Sequence, residues 1–313
     1  MERVTIQNTD LKIAPINLGG NVFGWTLDEK ASFGILDRFT DADFNFIDTA
    51  DTYSWWVNGV GGQSEEIIGK WLKSRKKKDV VIATKTGSQT ARHGYDISKR
   101  HILNASENSL KRLGVERIDL YYTHFDDHTT PVEETLSAYD ELIRAGKIRH
   151  IAASNLSAER ISESLEAAEK NGLPKYVALQ PHYNLLERKA FESEYADLAK
   201  KHQLAVFPYY ALASGFLTGK YRTEADFGKS PRGEGLKNYL DDRGKAVLKT
   251  LDNVAEKHRA ELATVALAWL LANPLVTAPI ASATNERQLQ ALVAAPELKL
   301  DAEDLKALDE AGK

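Results

Sequence analysis

The 313-residue chain contains no cysteine. Disulfides, thiolate metal sites and cysteine nucleophiles are thereby excluded. No apolar run is long enough to span a bilayer. The longest, residues 262–272, lies between Glu261 and Asn273-Pro274 and reads as a buried helix. Residues 1–10 are polar and lack the apolar centre of a secretory signal. No Gly-x-Gly-x-x-Gly follows a predicted strand, so the dinucleotide fingerprint of the open α/β fold is missing. Positive charge is not in excess: the net charge is −4, and nothing favours nucleic acid or an anionic membrane. The histidines lack metal-ligand spacing, so no metal is expected. There is no low-complexity segment and no break in composition. These absences leave a soluble cytoplasmic protein as the expectation, with residues 1–313 forming a single domain.

What is present is an ordinary globular composition, 42% hydrophobic and 27% charged, with a strict β/α rhythm. Residues 4–13 alternate around Asn8-Thr9-Asp10 and read as a β-hairpin. Strands are then expected at 14–18, 44–48, 79–84, 118–122, 148–153, 176–179, 204–208 and 275–280. Helical spacing fills the intervals, with Asp28 and Ser64 as N-caps and Gly114, Gly146 and Gly172 as stops. Residues 210–240 form a long irregular loop, a length that usually serves function. Eight such units point to an α/β fold, a closed (β/α)8 TIM barrel with an N-terminal β-hairpin. The run Arg75-Lys-Lys-Lys78 reads as a solvated turn.

In such a barrel the chemistry lies at the carboxyl ends of the strands. Strand two supplies Asp48 and its loop Tyr53; strand three supplies Lys85 and strand four His124. Alone, Asp48 reads equally well as a helix cap, Lys85 as a surface lysine and His124 as a structural histidine. Placed at the ends of successive strands, they converge. A phenol has an ordinary pKa of about 10, and a neighbouring ammonium lowers it. Asp48 can hold Lys85 charged, and His124 can orient a substrate oxygen. The set suits protonation of a carbonyl oxygen while a nicotinamide supplies hydride. Trp25, Trp55, Trp56 and Phe125 fall in rim loops and His182 just after strand six, which predicts an aromatic-lined pocket.

Six motifs carry a resemblance: Asp48-Thr-Ala-Asp-Thr-Tyr53, Ala83-Thr-Lys85, Asp119-Leu-Tyr-Tyr-Thr-His124, Ala153-Ser-Asn155, Gln180-Pro-His-Tyr-Asn184 and Gly215-Phe-Leu-Thr-Gly-Lys-Tyr221. With them the chain resembles the aldo-keto reductase family over nearly its whole length. The last motif resembles the bacterial stress-protein-like branch and the related potassium-channel β-subunits. The resemblance implies Tyr53 as general acid/base, supported by Asp48, Lys85 and His124. It implies that Ser154, Asn155 and Gln180 hold a carboxamide and that Tyr209 stacks on the nicotinamide. It also implies that the loop 211–220, with Ala211, Leu212, Gly215, Leu217, Gly219 and Lys220, covers the pyrophosphate. Ser282, Thr284, Arg287 and Gln290 stand where the family binds the adenosine end. Ala281 and Ala291 stand where many relatives carry a basic residue and an amide.

Arg287 opens the helix after strand eight, and a guanidinium at a helix N-terminus suits a 2′-phosphate. NADP(H) is therefore expected, with NAD(H) as the alternative and a small carbonyl compound or alcohol as substrate. Oligomeric state is left open. Two other functions fit parts of the pattern. A Schiff-base aldolase would use Lys85 but leave Tyr53, Ser154, Asn155 and Gln180 without work. A partner module that senses bound nicotinamide would leave the tryptophans without a substrate. The stretch from Gly215 to Lys220 is one residue short of a nucleotide-triphosphate loop, and Tyr221 replaces the Ser/Thr it needs.

Overall fold

The computed structural model describes residues 2–76 and 79–313, so Lys77 and Lys78 of the basic run lie outside the described residues. An antiparallel hairpin comes first, β1 (Val4–Thr5) and β2 (Lys12–Ile13), turning through Asn8 at φ 60°. The parallel strands follow in chain order: β3 (Asn17–Gly19), β4 (Phe46–Asp48), β5 (Val81–Thr86), β6 (Ile118–Thr123), β7 (Ile148–Ser154), β8 (Tyr176–Gln180), β9 (Ala205–Val206) and β10 (Ile280–Ala281). Each pairs with its predecessor except β10, which pairs with β3. The ring closes between β9 and the segment entering β10: Thr277 N donates to Val206 O at 2.9 Å and Ile280 N to Pro208 O at 2.8 Å. This is a (β/α)8 barrel.

Alternation along the strands sorts side chains into two layers. Phe46, Ala83, Leu120, Tyr122, Ala152 and Ala178 fill the barrel interior, where Ile6, Leu11 and Ile13 of the hairpin segment join them. Ile47, Ile82, Tyr121, Ile151, Ala153 and Leu179 face outward into the larger core beneath the helices. The helices are α1 (Glu29–Asp41), α2 (Trp55–Asn58), α3 (Gln63–Arg75), α4 (Lys99–Leu113), α5 (Val132–Arg144), α6 (Ala158–Asn171), α7 (Ala196–His202), α8 (Asp242–His258), α9 (Leu262–Ala272), α10 (Glu286–Val293) and α11 (Ala302–Ala311). Asp28 caps α1 by accepting from Ala31 N, and Gly114 and Gly172 end α4 and α6 in the left-handed region as the sequence pattern requires. Helix α9 is apolar all round because it is buried: every residue from Ala263 to Leu270 is inside. Among the described residues no helix is long and apolar enough to cross a membrane.

Three local expectations are corrected. Ser64 does not cap α3. That helix starts one residue earlier with Gly62 as its N-cap, and the Ser64 hydroxyl accepts from Thr49 Oγ1 and donates to Gly20 O, each at 2.8 Å. A buried hydroxyl that can tie two strand ends together is better placed there than at a helix end. Strands β9 and β10 are shorter than expected, because Pro208 and Pro279 flank them and have no N–H to give to the ladder. Residues 210–240 are not wholly irregular: 3₁₀ turns form at Ala213–Thr218, Glu224–Lys229 and Gly233–Tyr239.

Candidate active site

Asp48 ends β4, and Lys85 lies two residues beyond the inward-facing Ala83 on β5. The same phase sends Gln180 inward two residues after Ala178. The parallel register then brings these strand ends to one rim. Lys85 Nζ donates to Asp48 Oδ1, to Thr49 O at 2.7 Å and to Tyr53 OH at 2.9 Å. All three ammonium donors are thus used. Gln180 Nε2 donates to the other Asp48 oxygen at 3.0 Å. The side chains of Lys85 and Asp48 are 0% and 1% exposed, so this is a buried ion pair and not a surface one. The His124 ring stands edge-on to the Tyr53 ring, 6.1 Å between centroids.

Burial alone would lower Lys85, but Asp48 and then Tyr53 outweigh it and hold the ammonium above its ordinary value. Burial pushes Asp48 up, opposed by Lys85. The Tyr53 phenol departs from the sequence expectation. Lys85 does pull it down, but burial pushes harder, with Asp48 adding to it, and the net direction is up. The phenol therefore keeps its proton at neutral pH. Burial, then Lys85, drives His124 well below its usual range, so its imidazole is neutral. The arrangement offers a protonated phenol tied to a cation, beside a neutral imidazole. Chemically it can donate a proton to an oxygen bound between them and take it back.

These groups form the floor of a cavity of about 930 Å³ that runs from Trp56 to the start of α10. Asp48, Tyr53, His124, Ser154, Asn155, Gln180, Tyr209, Ala211, Leu212, Gly215, Lys220, Ser282, Thr284, Arg287, Trp55, Trp56 and Phe125 all line it. Lys85 sits beneath, reaching the cavity through Tyr53. Asn155, in the left-handed region at φ 53°, donates to His124 O at 2.9 Å and accepts from Tyr209 OH at 2.8 Å. Tyr209 is backed by the His182 ring, 5.2 Å away and within 19° of parallel. The Tyr209 ring is thus held at its face by His182 and at its hydroxyl by Asn155, in the same wall as Ser154 and Gln180.

Besides Lys85, five of the expected residues are not in the wall. His182 is behind Tyr209, and Trp25 stands edge-on behind Trp56 at 5.4 Å. Leu217 is fully buried, and Gly219 ends a 3₁₀ turn. Gln290 turns away, and Gln288 faces the cavity instead. Arg287 does line it, but its guanidinium is paired with Glu261 at 2.9 Å. Residues the sequence reading missed include Asn21, which accepts from Ser282 Oγ at 2.7 Å, and also Glu261, Gln288 and Arg232. A further one is Asp51, two positions before Tyr53. Its Oδ1 is buried without a partner, and burial, then Glu65, pushes its pKa up to about 7.

Asp51 carries a pH prediction. A carboxyl whose folded pKa exceeds its unfolded value binds a proton more tightly when folded, so its contribution is lost as pH rises from about 4 through 7. Asp51→Asn should therefore lose less stability than wild type across that window. Thermal melts at pH 5 and pH 8 check this; parallel losses would show that Asp51 titrates normally.

The family model described as the aldo/keto reductase family matches residues 15–313. The chain is 34% identical to an uncharacterized oxidoreductase, YrpG, of Bacillus subtilis, over 99% of this chain and 95% of that protein. It is also 34% identical to the aldo-keto reductase YhdN of the same organism, over 99% and 93%. A probable voltage-gated potassium channel subunit beta of Arabidopsis thaliana is 32% identical over 93% and 89%.

Proposed function

The chain belongs to the aldo/keto reductase family and is an oxidoreductase, and from that premise we propose that it reduces aldehydes or ketones reversibly to alcohols with NADP(H), Tyr53 acting as the general acid/base. One observation carries the reading: the Tyr53 hydroxyl accepts from a buried, fully committed Lys85 ammonium at 2.9 Å. A carbonyl oxygen placed between Tyr53 and His124 meets a phenol that has a proton to give and a cation to steady the phenolate left behind. The neutral imidazole of His124 orients that oxygen. Ser154, Asn155 and Gln180 hold the carboxamide, and the ring of Tyr209 supports the nicotinamide plane. Bound there, the nicotinamide supplies the two electrons that no side chain can. Trp55, Trp56 and Phe125 exclude water and receive the body of the substrate. Residues 1–313 act as one domain.

Consumption of NADPH, followed by nicotinamide absorbance on a panel of aldehydes, tests the reading. Binding of NADPH without turnover of any carbonyl would favour the partner-module reading, which the plant channel-subunit relatives support. Against the aldolase reading, Lys85 is held as an ammonium by three acceptors and would have to give up a proton and a hydrogen bond before it had a lone pair for a carbonyl carbon.

The cofactor preference rests on Arg287, whose pairing with Glu261 tempers it. To meet a 2′-phosphate the guanidinium must share or leave a carboxylate. Charge-assisted hydrogen bonds contribute roughly 1.5–3 kcal/mol when made afresh, and an exchanged one about 1. Arg287→Ala should thus weaken NADPH by about 1 kcal/mol more than NADH, and Glu261→Gln should tighten NADPH. Titration of both cofactors checks this. Equal losses for both in Arg287→Ala would remove the basis for NADP.

A further inference from the structure

A second hollow lies at the end of the barrel opposite Tyr53, where the strands begin. It measures about 900 Å³ and opens between α3, α4 and the entries to β5, β6 and β7. Seven of the seventeen residues that line it are cationic, against 41 of 313 in the chain. Three of them have carboxylate partners: Lys70 with Glu29 at 2.7 Å, Arg112 with Glu65 at 2.6 Å and Arg149 with Asp119 at 2.8 Å. The other four, Lys12, Lys73, Lys111 and Arg117, are exposed, and among the described residues no carboxylate pairs with them. Helix ends explain part of this. Lys73 and Lys111 stand in the last turns of α3 and α4, where a cation is favoured. Helix ends do not explain Lys12 on β2, Arg117 in the turn before β6 or Arg149 on β7. The wall holds two carboxylates. Asp119 is taken by Arg149 and by Ile82 N at 3.0 Å, which leaves Asp79.

Like charges gathered around one hollow repel each other, and a bound anion relieves them. We propose that this hollow is a second binding site, which takes a small anion carrying two or more phosphate groups. Phosphates fit better than carboxylates. Three of the four unpaired cations are lysines, point charges on flexible stems that suit a tetrahedral phosphate, whereas a carboxylate is best met by an arginine fork. More than one phosphate is needed, since each carries about −1.5 to −2 charge against four unpaired cations. The volume falls within the roughly 300–1,000 Å³ of small-molecule sites. A recess suits a ligand that enters it, rather than a membrane or a duplex that lies across a face. The cavity around Tyr53 is at the other end of the barrel, so both sites can be filled together. The proposal does not depend on the carbonyl-reductase reading.

The probe is inorganic tripolyphosphate, titrated calorimetrically into wild type with and without saturating NADP⁺. Wild type should bind one equivalent under both conditions, and more weakly as salt rises. Tripolyphosphate should also raise Tm. The triple variant Lys73→Gln/Lys111→Gln/Arg117→Gln should bind roughly 3–150-fold more weakly, the span of three exposed ion pairs, and lose the rise in Tm. A control triple, Lys200→Gln/Lys201→Gln/Lys249→Gln, removes the same charge from exposed positions on α7 and α8 and should bind as wild type does. Equal weakening in both triples would show attraction to net charge alone and overturns the proposal. Displacement by NADP⁺ also overturns it, because the anion would then sit in the cavity around Tyr53. So does the absence of saturable binding to wild type. If NADP⁺ itself fails to bind, the cofactor reading falls, and the two triples still decide between site and net charge.

Discussion

Tyr53→Phe should lower kcat for aldehyde reduction about 10²–10⁴-fold, the usual contribution of a positioned general acid, while NADPH binds nearly as before. The substitution keeps the ring, so its edge contact with His124 and its place in the wall survive. What is lost is one oxygen, the acceptor for Lys85 at 2.9 Å. Lys85 keeps Asp48 and Thr49 O, so the fold should lose no more than about 1 kcal/mol. The pH profile adds a second readout. Burial pushes the phenol up, so wild-type reduction should hold through neutral pH and fall only as alkali removes the proton. Alcohol oxidation, which needs the phenolate, should rise over that same alkaline limb. Neither limb should survive in Tyr53→Phe. A variant with near-normal kcat would mean that another group delivers the proton.

The meeting of the candidate catalytic residues was legible because barrel geometry converts position into proximity. Asp48, Lys85 and Gln180 share the inward phase with Phe46, Ala83 and Ala178, and a period of two residues can be read from sequence. The same rule did not reach residues beyond the strands. His182 and Trp25 lie in rim loops, where no periodicity says which ring faces the cavity and which one backs it. Gln290 against Gln288 is a question of helical phase. From the cap at Asn285, positions 284, 287, 288 and 291 share a face and 290 does not, so locating the cap first would have corrected the choice. Arg232 left no signal at all. It lies between two 3₁₀ turns, where no periodicity marks which side chain reaches the cavity. The direction of the Tyr53 pKa is hidden from sequence for a related reason: a nearby lysine is visible in a motif, whereas the desolvation that outweighs it depends on how deeply the loop is buried.

Lys85→Met should affect both stability and chemistry, and the two effects can be separated. Methionine fills the space of the lysine stem but removes the ammonium, leaving Asp48 buried with Gln180 Nε2 at 3.0 Å and the distant Tyr53 hydroxyl at 3.5 Å. Stranding one member of a buried pair costs roughly 3–5 kcal/mol. The cost has a defined pH dependence. Burial already pushes Asp48 up, and Lys85 is the largest influence holding it down, so its removal raises the folded pKa further. A carboxyl with a raised folded pKa favours the fold at low pH and loses that contribution as pH rises through the folded value. Denaturant unfolding should therefore show a small deficit at pH 5 and a larger one at pH 8. Adding Asp48→Leu removes the stranded charge and should recover most of the stability, because replacing both partners of a buried pair is close to neutral. Activity should not return, since the phenol then has no cation to hold its conjugate base. Alcohol oxidation should suffer more than carbonyl reduction, as it starts from the phenolate. If the double variant regains stability and turnover together, Lys85 is only a structural partner of Asp48. If it regains stability alone, the ammonium acts on the proton of Tyr53.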